Sequence, residues 1–257
     1  MAYADLVAAV GIFLPTAALI WFMLGRYEGY FEDNRLFFAM GAGIFAALVV
    51  RFLEVRLFGF EYPQVIQGTG PPFTTGTLVY SFAYTALGYG LIQTLAKTSV
   101  LGFRKFRMRK DSAYYGAALG LAFGAMWATE FAAANIVSDG GRVVTETPAL
   151  ILDASLLLVS FGLVLAGGAS GTWIGREVGE GRLWRGSVTG SLWIAPGLAL
   201  MWFWLRPGDQ VIPALASLGW GIFALVYTDK RILQVIVPPE VRDMIRKERR
   251  RERRKTS

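Results

Sequence analysis

The 257-residue sequence contains no cysteine and no histidine. Without cysteine there is no disulfide, no thiolate nucleophile, no iron–sulfur cluster and no zinc ribbon. Without histidine there is no Ser-His-Asp triad, no His-Glu-x-x-His zinc site and no histidine-ligated haem. Neutrality is missing too: 26 Lys and Arg stand against 19 Asp and Glu, a net charge of +7. That excess sits mostly at one end. Residues Glu240–Ser257 carry nine basic and four acidic side chains, so the body of the chain is almost balanced.

What the chain has in quantity is apolar length, with 54% of residues hydrophobic. Crossing a bilayer core takes about 20 mainly apolar residues in a helix. Seven stretches qualify, at roughly 5–25, 36–57, 75–103, 112–137, 148–175, 185–205 and 211–229. They are too long for strands and lack period-2 alternation. A spanning segment must satisfy its own backbone, which favours helices. The expected fold is therefore an all-α polytopic membrane protein of seven transmembrane helices. A membrane domain would occupy residues 1–235 and a basic cytoplasmic tail residues 236–257. The leader Met-Ala-Tyr-Ala-Asp has no basic region, so the first helix is expected to be retained rather than cleaved.

Seven alternating spans place 21 of the 26 basic residues on one side, with Arg51, Arg56, Lys97, Arg142 and Arg206 left over. The positive-inside rule then puts the N-terminus outside and the C-terminus in the cytoplasm, in the cell membrane. The outer loop 58–74, with Gly-Thr-Gly-Pro-Pro, is expected to fold over the outer surface, but its composition assigns no chemistry.

Three patterns inside the spans stand out. Helix 4 carries Gly116, Gly120 and Gly124, and helix 5 carries Gly167, Gly171 and Gly175. Four-residue spacing aligns each set on one ridge, where close backbone approach replaces the hydrophobic drive that lipid cannot supply. The two ridges either pack on each other or receive a partner's helix. Second, Arg51 and Glu54 on helix 2, Glu130 on helix 4 and Asp153 on helix 5 fall in the outer half of their spans. Ionised groups there face protein or a wet cavity. They form a structural ion-pair cluster, snorkel to the interface, or line a polar pocket. Third, Gln93 and Lys97 lie one turn apart on helix 3. Lys97 does not match a retinal lysine, which seven-helix retinal proteins carry on the last helix. The tail motif Val241–Lys255 suits anionic lipid, or the phosphates of ribosomal RNA, or simple retention of topology. No feature calls for specific DNA, a cofactor or a metal.

The stretch Gly90–Asp139, GLIQTLAKTSVLGFRKFRMRKDSAYYGAALGLAFGAMWATEFAAANIVSD, resembles the central part of the PrsW-like glutamic intramembrane proteases. It is closer still to their non-catalytic relative, the anterior-pharynx-defective scaffold subunit of γ-secretase. The best marker is Gly116-x-x-x-Gly120-x-x-x-Gly124 after a basic loop. Seven spans, the expected orientation and Gly190-Ser191 at the start of helix 6 also match the scaffold pattern. The departures concern chemistry. Where the proteases have Glu-Glu-x-x-Lys, this chain reads Gln93-Thr94-Leu95-Ala96-Lys97. Their Phe-x-x-x-Glu reads Phe123-Gly124-Ala125-Met126-Trp127, with Glu130 three residues further on, and Asp153 stands near the position of their first histidine. Leu192 replaces the histidine that follows Gly-Ser in the scaffold family.

The resemblance implies a non-catalytic scaffold or assembly subunit that binds another integral membrane protein through its GxxxG faces, a presenilin-like protease being one such partner. Two other functions stay open on the residues. An intramembrane protease could use a rearranged site on Glu130 and Asp153, one acid and one base, with Arg51 or Lys97 on developing charge. A small-molecule or lipid carrier could use the same polar cluster of Arg51, Glu54, Gln93, Lys97, Glu130 and Asp153.

Overall fold

A computed structural model of the chain describes residues 2–58, 79, 81–135, 148–205 and 209–237, without the side chains of residues 2–5, 55–58, 134 and 149. Nearly all of the loop 58–74 and the tail from 238 onward lie outside the described residues, as do Arg142 and Arg206. All regular structure among the described residues is helical. The helices are α1 (Ala2–Leu24), α2 (Asp33–Phe58), α3 (Gly90–Leu101), α4 (Ser112–Asn135), α5 (Ala149–Gly179), α6 (Leu183–Trp204) and α7 (Val211–Thr228). A π-helical stretch, Tyr84–Tyr89, leads into α3, and another, Asp229–Leu233, follows α7.

Among the described residues, four segments are long and apolar enough to cross a membrane: Leu6–Tyr27, Asp33–Glu54, Leu150–Gly179 and Val211–Ile236. These belong to α1, α2, α5 and α7. Helix α4 has a different composition. Its 24 residues are dominated by Gly, Ala and aromatics, and from Ser112 to Thr129 all but Met126 are buried. A helix wrapped by other helices meets protein rather than lipid, so it needs small side chains more than strongly apolar ones. By contrast, α1 and α2 present Leu14, Trp21, Phe22, Phe37, Phe45 and Phe52 outward, Trp21 at 84% exposure. That is the surface expected of helices against hydrocarbon.

Glycine sets the packing. The largest contact in the fold joins α4 to α5, and their two glycine ridges face each other in antiparallel register. A methyl group added at Gly116 would overlap the backbone of Gly171 and Gly175. At Gly120 it would strike Gly167 and Gly171, and at Gly124 the backbone of Val164. The ridges are therefore filled by one another within the chain. The same device recurs on both flanks. A Cβ on Gly43 of α2 would stand 2.6 Å from the carbonyl oxygen of Leu119 on α4. One on Gly162 of α5 would meet the Ser217 backbone of α7 at 2.5 Å. Close approach gives dispersion and weak Cα–H···O contacts along the whole line. Between α5 and α6 the chain reverses at Gly181, whose φ of +81° suits a residue without Cβ.

One end of the bundle is tied by tyrosines. Tyr114 donates to the Leu233 carbonyl at 2.8 Å, Tyr27 to Asp229 at 2.9 Å, and Tyr30 to the Ile236 carbonyl at 3.0 Å. The Tyr27 and Tyr30 rings pack on Tyr114 with centroids 5.1 and 5.5 Å away. Thus the turn after α1, the start of α4 and the segment after α7 form one unit. Beside it, Arg109 makes two hydrogen bonds to the Asp111 carboxylate, at 3.0 and 3.1 Å, and a third to Glu32. Tyr115 donates to the same Asp111 at 2.7 Å. Burial pushes the Asp111 carboxyl up, but the hydrogen bonds from Arg109 and Tyr115 and the guanidinium charge outweigh it and hold it below the ordinary aspartate range.

Three outcomes follow. Gly171→Ala should cost about 1–3 kcal/mol by overpacking, read as a lower thermal midpoint in detergent. Gly41→Ala, at an exposed site with nothing within 4 Å of the added Cβ, should be neutral or stabilise by up to about 1 kcal/mol through helix propensity. A carboxyl lowered on folding contributes fully above its ordinary value of about 3.9 and loses that contribution as pH falls through the lower folded value. The thermal midpoint should therefore drop in acid, and Asp111→Asn should flatten that part of the pH curve.

Candidate functional site

Helix α3 turns its polar face inward. Gln93, Thr94, Lys97 and Thr98 share one side and are buried, while Leu91 and Leu95 are exposed on the other. The spacing i, i+1, i+4, i+5 is that of an amphipathic helix, with the sense opposite to that of a helix in water. In a bilayer this is the economical arrangement, because polar groups find partners only inside the bundle. Here α6 supplies them. Ser187 donates to Thr98 at 3.0 Å, and the Thr94 and Ser191 hydroxyls meet at 2.8 Å. Ser191 follows Gly190, where an added methyl would run into Ile174 of α5, so the small residue brings the serine ladder inside.

Two charged side chains enter this interior. Glu54 of α2 is fully buried. Its Oε2 accepts the indole N–H of Trp127 at 2.8 Å and lies 3.8 Å from Arg51 Nη1. The Gln93 amide interacts with the same carboxyl without closing a full hydrogen bond, so Glu54 Oε1 and Gln93 Nε2 each remain without a hydrogen-bond partner among the described residues. One turn along α3, the Lys97 side chain is completely buried, and its Nζ has no hydrogen-bond partner among the described residues. It stands over the Phe123 ring, 4.9 Å from the centroid, where the π face offers partial compensation for the charge. Since Phe123 and Trp127 are one turn apart on α4, the site has two rungs. Glu54, Gln93 and Trp127 form the first, Lys97 and Phe123 the second.

The expected cluster therefore comes together only in part. Arg51, Glu54 and Gln93 meet, and Lys97 lies one turn from Gln93. Glu130 is exposed near the end of α4 and is not among the partners of Glu54, which are Trp127, Arg51 and Gln93, while Asp153 is half-buried near the start of α5. Among the described residues, no three acidic side chains are grouped so as to hold a metal ion. Sequence reasoning overlooked Trp127 as the carboxylate's donor, Phe123 as the lysine's platform, and the ladder Thr94–Ser191, Thr98–Ser187. The ladder had a visible mark in its matching i, i+4 hydroxyl pairs. The aromatic partners had none, because Phe and Trp on an apolar helix read as core.

Chemically, the arrangement offers two donors with unfilled capacity, Lys97 Nζ and Gln93 Nε2, and one carboxylate already engaged by an indole. Comparison with known proteins finds no matching family model, no matching curated protein and no matching solved structure.

An unpaired buried donor costs about 1–3 kcal/mol. Lys97→Met keeps an unbranched side chain of similar length and should stabilise the protein by an amount of that order, read as a higher thermal midpoint. Glu54→Leu strands the Trp127 N–H and should lower it. A Lys97→Met protein less stable than the parent would mean that the amine is fully satisfied.

Proposed function

We propose that this protein is a non-catalytic membrane scaffold or assembly subunit, related to the PrsW-like fold and nearest in pattern to the γ-secretase scaffold subunit. It would have seven spans, its N-terminus outside and its basic tail in the cytoplasm. The observation that carries this reading is the state of Glu54. It is a fully buried acid, and its partners among the described residues are an indole, an amide and an arginine, with no second carboxylate among them. Hydrolysis by paired carboxylates requires one to act as acid and the other as base. Glu54 instead serves to hold α2, α3 and α4 together. In support of this reading, seven α-helices, α1–α7, follow one another among the described residues, four of them within segments apolar enough to cross a membrane and α4 buried almost all round. The rearranged protease gains nothing from the exposed position of Glu130.

Because the glycine ridges of α4 and α5 fill each other, a partner helix would seat on an outward face. The outer side of α2 offers a notch: Gly41, with open space around it, lies between exposed Phe37 and Phe45 at four-residue spacing. A partner ridge fits such a notch as ridges fit grooves elsewhere. Purification from native membranes in mild detergent, followed by mass spectrometry of cross-linked species, should yield a second integral membrane protein in stoichiometric amount. Gly41→Leu should release it while leaving the thermal midpoint unchanged. A strictly monomeric protein, or a partner indifferent to Gly41→Leu, overturns this reading.

A further inference from the structure

A row of aromatic rings runs along the seam of α5, α6 and α7, and two arginines close it at one end. Trp173 of α5 stacks on Trp193 of α6 with centroids 5.7 Å apart. Trp193 in turn lies 5.9 Å from Trp220 and 5.5 Å from Tyr227, both on α7. Phe223 extends the wall, 5.7 Å from Trp220. All five rings are partly or largely exposed. The Trp173 N–H donates to Thr228 at 3.1 Å and the Trp220 N–H to the Trp193 carbonyl at 3.1 Å. The polar edges of these two indoles are thus satisfied within the protein, and what remains outward is apolar ring surface.

Both flanking helices belong to segments apolar enough to cross a membrane. They run parallel, since Gly162 meets Ser217 and Trp173 meets Thr228 with the same offset in sequence. Arg176 lies three residues beyond Trp173, and Arg231 three beyond Thr228. Because the two helices are parallel, both arginines follow their aromatic partners toward the same end of the seam. Arg176 covers the Trp173 ring at 5.5 Å and Arg231 the Tyr227 ring at 5.7 Å, and both rings pack on Trp193. The neighbouring acids do not cancel them. Glu180 pairs with Arg176 at 3.4 Å between half-exposed side chains, a weak arrangement. Asp229 is turned to Tyr27 and Gln234.

We infer that this seam binds one anionic phospholipid, with its phosphate between Arg176 and Arg231 and its acyl chains along Trp193, Trp220 and Phe223. The chemistry selects the occupant. Paired guanidiniums favour a phosphate whose charge is not offset by a headgroup cation, and tryptophan and tyrosine prefer the boundary between hydrocarbon and headgroups. A soluble anion would leave the aromatic wall uncovered. The site is separate from the interior polar face of α3 and does not depend on the scaffold reading.

The full chain in dodecylmaltoside, mixed with equimolar dioleoylphosphatidylglycerol and dioleoylphosphatidylcholine, should retain one phosphatidylglycerol in native mass spectrometry. The expected preference is about tenfold, allowing for the competition of Glu180. Arg176→Gln with Arg231→Gln should bring it close to parity. Arg249→Gln with Arg250→Gln, in the basic tail, should leave it intact. As a second measurement on the unaltered protein, brominated phosphatidylglycerol should quench tryptophan fluorescence more than brominated phosphatidylcholine. Equal retention and equal quenching by the two lipids, or a preference that survives at the seam and vanishes with the tail change, overturns the assignment.

Discussion

The bundle depends on how closely α4 can approach α5. Hydrocarbon tails give two apolar helices no reason to prefer each other over lipid, so the gain must come from contact made at short range and over length. Glycines at four-residue intervals on both helices provide this, with backbone set against backbone from Ser112 to Val164. Once α4 is held there it becomes the axis of the fold, buried almost all round. Gly43 brings α2 against one side of α4, and Gly162 with Gly221 brings α7 against α5.

This axis also decides where polarity can live. The outer helices meet an apolar environment and carry large apolar side chains, while α3 and α6 turn their hydroxyls toward each other. The Phe123 and Trp127 rings reach Lys97 and Glu54 because α4 stands next to both α2 and α3. Charged groups so placed are expensive, and their cost is only partly met by a π face and an indole N–H. What they give in exchange is geometrical. A carboxylate on α2 that accepts the Trp127 indole N–H of α4 fixes the relative rotation of those two helices, which smooth apolar faces would leave loosely defined.

Much of this was legible in the residues. Hydropathy and length gave an all-helical chain and seven apolar stretches, four of which lie among the segments long and apolar enough to cross a membrane, and the glycine spacing marked the ridges of α4 and α5. Whether those ridges served each other or a partner could not be read from periodicity, since Gly-x-x-x-Gly looks the same in both cases; only the antiparallel register of Gly116 with Gly171 and Gly175 distinguishes them. The polar cluster was visible as a list of charged residues but not as a set of neighbours. Glu54 and Glu130 look equivalent in sequence, yet one is buried against Trp127 and the other exposed, because burial depends on which direction a helix faces once it is packed. The aromatic seam of α5, α6 and α7 was invisible for the same reason, since packing alone decides that the rings of these three successive helices turn toward one another.

The inward polarity of α3 bears on how such a chain enters a bilayer. A segment bearing Lys97, Gln93 and two threonines is a poor autonomous insertion sequence, since a single lysine near the middle of a helix costs about 2.5–3.5 kcal/mol on translocation scales. Its hydroxyl partners, Ser187 and Ser191, are synthesised some ninety residues later. On the seven-span reading, α3 must wait at the translocon or at the protein–lipid boundary until α6 emerges. Biogenesis of this bundle is then a delayed, cooperative event in which the strongly apolar α1, α2, α5 and α7 act as the self-inserting frame for the rest.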